Sequence, residues 1–372
     1  TTEPGTRPRR YRMLETLKEF GRRKAAPTVL TTAQAAHRAW VLRRAEATEQ
    51  MLYGKDARSA MERTTRDLPE IRAAFASALQ SGEGVYALRL GGALQRYWHR
   101  WGHIAEGLGW LRAALDTCQD AAPGPRARAL VGVSGLSYLM GDFATAAQSG
   151  AEAARHAREA GDVATESTAL AYHALFEGLG GAAGSAALAE ASVELARTSG
   201  QQRLEAENLM MFGMVLQAAG QSDRARDVLA RCADVSRESG HRYVQAYCCW
   251  LPVKGDIADR PAEALAAGLA ALRILEEDGD VTSWLTIAHG TAAALTLTGR
   301  AEAGAVLLGF VDEQGSRIGY SPGGLDPVDG PTQAGLVREA LPAEDFDRCH
   351  ERGRAMSFAE AAEELSAFKP GH

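Results

Sequence analysis

The sequence lacks the features that mark secreted, membrane-spanning or zinc-binding chains. Its five cysteines are odd in number and include no Cys-x-x-Cys pair, so they indicate neither a disulfide framework nor a zinc site. No apolar run approaches the roughly 18 residues that span a bilayer, and no signal peptide is recognisable. We therefore predict a cytoplasmic chain with reduced thiols, no metal site and no membrane contact.

Motifs of catalysis and cofactor binding are also missing. The chain has no G-x-S-x-G, no H-E-x-x-H, no Cys-His-Asn signature and no phosphate loop of the form G-x-x-x-x-G-K-[ST]. "GLGGAA" (178–183) formally fits a dinucleotide fingerprint, but the segment before it has a helical pattern where that motif requires a strand. The sequence thus predicts no enzyme and no cofactor in this chain.

Charge and composition limit the binding partners and the fold class that we expect. A net charge of −6 makes the bulk of the chain a poor binder of phosphate backbones, so we predict no direct nucleic-acid contact. Eight Lys and Arg residues crowd into residues 7–24, where we predict a solvated face against a neighbouring domain, with nucleic-acid binding as the alternative. Strand-type alternation of Val, Ile and Thr is scarce, which predicts an all-α protein.

A repeat of about 40 residues organises the middle of the chain. Turn-type residues recur at intervals of 39, 39, 40, 39 and 40, in the series Gly102, Gly141, Gly180, Gly220, Asp259 and Gly299. A second series lies between them at intervals of 39, 40 and 39, namely Gly161, Gly200, Gly240 and Gly279. Two interleaved series predict two helices per unit, each ended by a residue that tolerates a left-handed conformation.

Small residues keep the same register. Five residues after each mark of the first series stand Gly107, Ala146, Ser185, Ala225, Ala264 and Gly304. Twelve residues after each mark stand Ala114, Ala153, Ser192, Cys232, Ala271 and Val311. The two positions are seven residues apart and share one face of a helix. A face of small residues lets the helix lie close to its neighbours.

This pattern resembles the tetratricopeptide family in its longer version of about 40 residues. The resemblance implies an α-solenoid of about six helix hairpins over residues 84–315, with a concave inner wall. The aromatic that precedes the inter-helix turn in that family survives only as Trp98 and Phe176, and the repeat-closing proline is missing. Pro252 predicts a kinked or shortened first helix in the fifth unit.

The flanks of the repeat predict helical caps. Residues 28–83 have the pattern of a helical connector, with Pro69 at a helix start or a kink. Residues 316–372 begin as a loop rich in Gly, Pro and Asp and continue as capping helices. Ser357 and Glu360 have the spacing of a capping box.

A second resemblance covers nearly the whole chain. "RYRMLETLKEFG" (10–21), "HRAWVLRRAEATE" (37–49), "LPEIRAAFASALQSGE" (68–83) and "RCHERGRAMSFAEAAEEL" (348–365) resemble the region that follows the nucleotide-binding core in large bacterial signal-transduction NTPases (STAND regulators) of the LuxR and SARP type. It implies that residues 1–27 are a basic remnant or linker after a missing winged-helix segment. ATP would then bind only to an NTPase core outside this chain, and that core and the DNA-binding modules would be its partners. The chain is interpreted as a portion of such a regulator or as a shortened homologue.

The functional hypothesis is a regulatory sensor that binds a small effector or a protein on its concave face. The candidate binding residues are Trp98, Trp101, Tyr138, His173, Phe212 and Trp284. The alternative is a stand-alone protein–protein interaction scaffold without a small ligand.

Three local clusters keep two interpretations each. "RYWHRWGH" (96–103) is core packing or an aromatic ligand wall, and its two histidines lack the further ligands of a metal site. "AYCCW" (246–250) is a pair of packed thiols or a redox sensor. "ENLMMFGMV" (207–215) is core filling or an adaptable binding surface.

Overall fold

The computed structural model describes residues 13–368, and over this range the chain is helical and contains no strand, as its composition predicted. The helices are α1 (Glu15–Lys24), α2 (Pro27–Glu49), α3 (Ala57–Gln80), α4 (Gly84–Trp101), α5 (Ile104–Thr117), α6 (Pro123–Leu139), α7 (Phe143–Ala160), α8 (Val163–Leu179), α9 (Ser185–Thr198), α10 (Gln202–Ala218), α11 (Ser222–Glu238), α12 (Arg242–Trp250), α13 (Pro261–Asp278), α14 (Val281–Leu297), α15 (Ala301–Ile318), α16 (Pro322–Leu325), α17 (Gly330–Glu339), α18 (Ala343–Arg354) and α19 (Phe358–Ser366). Two 3-10 segments, Gln50–Tyr53 and Lys254–Asp256, interrupt this series. Among the described residues, no helix combines the length and the apolar character needed to cross a bilayer.

Six consecutive hairpins form the solenoid. α4 packs on α5, α6 on α7, α8 on α9, α10 on α11, α12 on α13, and α14 on α15. Each later first helix also packs on the second helix of the preceding hairpin, from α5 against α6 to α13 against α14. This order confirms the predicted α-solenoid of about six hairpins.

Glycine ends most of these helices, as the spacing predicted. At eight of the ten predicted turn residues φ lies between 67° and 87°, a region that glycine adopts without steric cost. The exceptions correct the prediction. Gly180 has φ −80°, and Gly181 takes the left-handed conformation instead with φ 78°. Asp259 is not left-handed, since no non-glycine residue in the described part of the chain has positive φ.

The small-residue positions are buried, as predicted. The residues five and twelve positions after each mark are all buried. A Cβ on Gly107 would lie 2.4 Å from the Trp98 ring, and one on Gly304 would lie 2.2 Å from Thr296 Oγ1. These contacts show that the close approach of the helices depends on small side chains.

Proline has different effects at its two internal positions. α12 has only nine residues and ends at Trp250, in agreement with the shortening predicted for Pro252, which cannot donate a backbone hydrogen bond. Pro69, in contrast, lies inside the single 24-residue helix α3.

The ends of the chain add helices around the repeat. α2 and α3 pack on α4, while α18 packs on α15 and α17 packs on α14. The loop predicted after the repeat contains the short helix α16, which corrects the sequence interpretation. The predicted capping box is present, with Ser357 Oγ accepting from the Glu360 amide at 3.3 Å.

The first helix is exposed. In the segment "RYRMLETLKEFG", residues 10–12 lie outside the described residues, as do Arg7 and Arg9. The helical pattern is realised in part, because α1 begins only at Glu15, after Met13 and the N-cap Leu14. The four apolar residues Met13, Leu14, Leu17 and Phe20 are all more than half exposed.

The solenoid closes on itself, because its first hairpin meets its last. α4 contacts α14 and α3 contacts α13. Arg100 Nε donates to Asp280 Oδ2 at 2.6 Å, and both side chains are buried. Thr282 Oγ1 donates to the His99 carbonyl at 2.6 Å. The inner wall therefore surrounds a lumen, where the repeat pattern alone predicted a concave groove.

Candidate functional site

A cavity of about 260 Å³ lies in this lumen. The first helix of every hairpin contributes to its wall, represented by His99, Tyr138, Tyr172, Met211, Tyr247 and Thr286. The first half of α11, the connection that follows α12 and the segment 320–333 also line it. A cavity of about 150 Å³ already admits a molecule of benzene size, so this space admits a larger organic molecule.

Aromatic rings and methionines form a substantial part of the wall. Five tyrosines contribute, namely Tyr138, Tyr172, Tyr243, Tyr247 and Tyr320. Tyr138 stacks on Phe176 with 4.9 Å between ring centroids, and Tyr243 lies 5.1 Å from Tyr247. Met210, Met211 and Met214 of α10 face them. Such rings and thioethers offer polarisable, adaptable contacts to a flat organic ligand.

The tyrosines and histidines of the wall are neutral at pH 7. Burial raises the pKa of all five tyrosines, to about 12 for Tyr172 and Tyr247. Burial also lowers the pKa of His99 to about 4, with Asp280 opposing this effect and Arg96 and Arg100 adding to it. The pKa of His289 is lowered by burial too.

One polar atom of the wall, Gln217 Oε1, is buried without a hydrogen-bond partner among the described residues. Gln217 Nε2 donates to the Leu251 carbonyl at 2.6 Å, which leaves its Oε1 as a free acceptor. Ser283 of α14 also lines the cavity, where it is a hydrogen-bond partner of Tyr247. Burying an acceptor such as Gln217 Oε1 unpaired is costly, so a ligand that donates to it gains affinity.

The segment 320–333, which we call the strap, covers one side of the cavity. Lys254 Nζ donates to Asp326 at 2.7 Å and to Asp329 at 2.6 Å. Burial works to lower the pKa of Lys254, but the two carboxylates outweigh it and the net shift is upward. Tyr138 and Tyr320 attach the strap further, through bonds to the Leu325 carbonyl and to Thr286 respectively. Exposed Arg226, Gly255 and Val328 also line the cavity, so it reaches solvent beside the strap.

The opposite end of the lumen holds a buried ion network. Arg96 donates to both carboxylate oxygens of Glu207, at 2.6 and 2.8 Å, and His241 Nε2 lies 2.9 Å from the same carboxylate. The Arg96 guanidinium lies over the Tyr53 ring, with its Cζ 4.6 Å from the ring centroid. The Tyr53 ring also packs edge-on against the His241 ring. Burial raises the pKa of Glu207, but Arg96 and His241 outweigh it and hold that pKa well below its usual range. This end is closed by charge pairing and by the segment before α3.

Of the six candidate residues from the sequence, Tyr138 lies in the cavity wall. Trp98 is fully buried between the helices of the first hairpin, edge-on to Trp110 at 5.6 Å. Trp284 is buried against Phe310 and Phe358.

The other three also lie outside the wall. Trp101 is half-buried at the ring closure, beside Gly279. His173 is half-buried, with Nδ1 donating to the Ala147 carbonyl at 3.2 Å. Phe212 is buried with the Arg224 guanidinium 6.0 Å above its ring. A binding role for these residues stays a prediction.

One position of the repeat could have indicated part of the cavity wall from the sequence. The position three residues before the inter-helix mark is His99 in the first unit, Tyr138 in the second and Gln217 in the fourth, and all three line the cavity. Tyr320 and Lys254 had no such signal, because they lie outside the repeated positions. No group of three or more His, Cys, Asp or Glu in residues 13–368 is arranged to hold a metal ion.

Most of the chain is similar in sequence to proteins that are named as transcriptional regulators. No protein-family model matches the sequence. Proteins named "Putative HTH-type transcriptional regulator" from Mycobacterium bovis and from two strains of Mycobacterium tuberculosis are 28% identical to it over 360 residues. The match covers 91% of this chain and 40% of each relative, so the chain spans well under half of their length.

Among solved structures, a Rap protein complexed with competence and sporulation factor superposes with a TM-score of 0.53. The match covers 89% of this chain and 98% of the Rap chain, at 10% sequence identity. This likeness is one of fold and supports the helical solenoid. The chain is thus an all-α helical solenoid that is similar in sequence to part of named transcriptional regulators.

Proposed function

We propose that this chain is the sensor portion of a cytoplasmic bacterial transcriptional regulator and that it binds a small effector in the lumen of its solenoid. The observation that carries the proposal is the cavity, which combines aromatic and methionine side chains with the buried, unpartnered acceptor Gln217 Oε1. The similarity to regulators more than twice as long supports a regulatory role. An NTPase core that binds ATP and a DNA-binding module would then belong to the rest of such a regulator.

The strap gives the proposal a mechanism. A ligand in the cavity touches the first helices and the strap together, so it binds the closed form more tightly than any form in which the strap is released. Only such a difference in affinity shifts the population of the two forms. The strap and α17 would pass this shift to the neighbouring modules of the regulator.

The charges around the cavity define the class of ligand. Lys254 is the cation nearest the strap, and Asp326 and Asp329 already engage it, which leaves an excess of one negative charge. The tyrosines and histidines of the wall are neutral, as described above, and aromatic faces attract cations. The ligand we expect is therefore an uncharged or singly cationic aromatic molecule with a hydrogen-bond donor for Gln217, and an anion is disfavoured.

Three indole compounds of matched ring and different charge test this proposal. Thermal-shift titrations with tryptamine, indole and indole-3-acetate, up to millimolar concentration, should show stabilisation in that order. We expect the apparent affinity for tryptamine to exceed that for indole-3-acetate by at least about tenfold. The carboxylates of the strap attract the ammonium group of tryptamine and repel the carboxylate of indole-3-acetate.

The outcomes separate the parts of the proposal. Equal stabilisation by all three compounds contradicts the charge preference and leaves the cavity as a binding site. If none of them and no member of a wider library of sugars, peptides and secondary metabolites stabilises the chain, the small-effector role is wrong. A stoichiometric protein partner recovered from extract would then favour the interaction scaffold.

A further inference from the structure

Two cysteines of neighbouring helices touch each other. Cys232 of α11 and Cys248 of α12 have their Sγ atoms 3.3 Å apart, although 15 residues separate them in sequence. Both are free thiols. A disulfide has an S–S distance of about 2.0 Å, so closing the bond requires the two sulfurs to approach by roughly 1.3 Å.

The two thiols differ in environment. Cys232 occupies one of the small-residue positions, is fully buried, and lies with its Sγ 3.3 Å from the Ala206 carbonyl oxygen. Cys248 is partly exposed, so a small oxidant reaches it from solvent. The contact with Cys232 lowers the pKa of Cys248 and raises that of Cys232, with Ser236 and Arg237 lowering the pKa of Cys248 further. Cys248 is therefore the nucleophile of the pair and Cys232 the resolving thiol.

We propose that Cys232 and Cys248 form an oxidisable dithiol that a hydroperoxide converts into an intramolecular disulfide. Cys249, the neighbour of Cys248, has no thiol in contact and is outside the pair: burial raises the pKa of its thiol.

The reaction proceeds in two balanced steps. The Cys248 thiolate attacks the terminal oxygen of the hydroperoxide, an S–O bond forms, the O–O bond breaks, and the alcohol leaves with one proton. The Cys232 sulfur then attacks the sulfenic sulfur of Cys248, an S–S bond forms, and the S–O bond breaks with release of water. Two thiols lose two electrons and two protons, and the hydroperoxide is reduced to alcohol and water.

The bond would fix the wall of the cavity. Tyr247 and Trp250 of α12 and Leu229 of α11 line the cavity and lie within three residues of the two cysteines. The disulfide ties these helices together, so oxidation changes the affinity for the ligand. This consequence rests on the proposed effector site, whereas the oxidation itself is independent of it.

Peptide mapping after treatment with hydrogen peroxide tests the dithiol. The native chain should lose two of its five titratable thiols and yield a disulfide between residues 232–237 and residues 243–254 after trypsin digestion. Because trypsin leaves Cys248 and Cys249 on one peptide, the C249S variant assigns the bond, and we expect it to oxidise as the native chain does. In C232S, Cys248 should accumulate as a sulfenic acid that dimedone traps.

The opposite results are equally clear. A native chain that keeps five free thiols at peroxide concentrations that oxidise free cysteine overturns the proposal. So does a bond that disappears in C249S, since it would join different residues. Circular dichroism and the midpoint of urea unfolding show whether each variant is folded before it is treated.

Discussion

At the scale of single residues, the close packing of each hairpin depends on pairing a large side chain on one helix with a small residue on the other. Gly107 of α5 exists as glycine because the Trp98 ring occupies the space where its Cβ would lie. Gly109, two residues along the same helix, has no atom within 4 Å of its Cβ position. The two glycines therefore separate the effect of packing from that of helix propensity.

We expect Gly107→Ala to lower the free energy of unfolding by about 1–3 kcal/mol, because the added methyl group overpacks against a fully buried Trp98. Gly109→Ala, the matched control, should be neutral or stabilise by about 0.5–1 kcal/mol through helix propensity. Urea unfolding followed by circular dichroism measures both. Equal stability of the two variants would contradict the packing described for the first hairpin.

A second residue-scale prediction concerns His99. Its folded pKa of about 4 lies below the unfolded value near 6.5, so the unfolded chain takes up the proton first as the pH falls. The contribution of neutral His99 to stability is therefore complete above pH 6.5 and is lost as the pH falls towards 4. Between pH 7 and pH 5 this loss amounts to about 2 kcal/mol.

The variant His99→Asn should reduce the difference in unfolding free energy between pH 7 and pH 5 by about that amount. His241 and His289, whose pKa values are also lowered, act in the same direction and keep part of the pH dependence. Urea unfolding at the two pH values gives the comparison. An unchanged difference in the variant would show that His99 is accessible to protons in the folded chain.

At the scale of the helix, some first helices of the hairpins begin with an aspartate that caps the helix N-terminus. Asp162 and Asp280 both begin a first helix, with the carboxylate accepting from the amide three residues on, at 3.0 Å in each case. Asp280 does more, because it also holds Arg100 at the ring closure. We therefore expect the two capping aspartates to contribute differently to stability, although they occupy equivalent positions.

We expect Asp162→Ala to cost about 1 kcal/mol, the usual effect of a lost helix cap. Asp280→Ala should cost about 3–5 kcal/mol, because it also leaves the buried Arg100 without its closest carboxylate. Thermal and urea unfolding of the two variants measure the difference. Similar costs would mean that the bond between α4 and α14 contributes little.

The elements of the fold were largely predictable, because their signals are local. The period of the glycines and the small residues fixed the number of hairpins, and Pro252 indicated the short α12. The misplaced turns have a physical reason. Gly180 and Gly181 are both able to adopt the left-handed conformation, and spacing alone does not choose between them. In the fifth unit a 3-10 segment replaces the left-handed turn after the helix shortened by Pro252.

At the scale of the whole molecule, closure of the solenoid creates the candidate site. Tyr138, Tyr172, Tyr247 and Tyr320 come from distant parts of the sequence and meet only because the first hairpin returns to the last. Sequence reasoning favoured the large aromatics Trp98 and Trp284, which the hairpins bury. Closure depends on contacts such as Arg100 with Asp280, 180 residues apart, and no periodic pattern reports them.

The most direct test of a ligand-binding lumen is calorimetric titration with tryptamine of the native chain and two methionine variants. Met214→Trp places a larger side chain into the cavity wall, whereas Met140→Trp places the same side chain on the exposed end of α6. We predict one-to-one binding to the native chain and to M140W, and at least about thirtyfold weaker binding to M214W, because the indole ring of the new Trp occupies the cavity. Unchanged binding to a folded M214W would contradict the account, and so would a native chain that binds neither tryptamine nor any compound of the wider library.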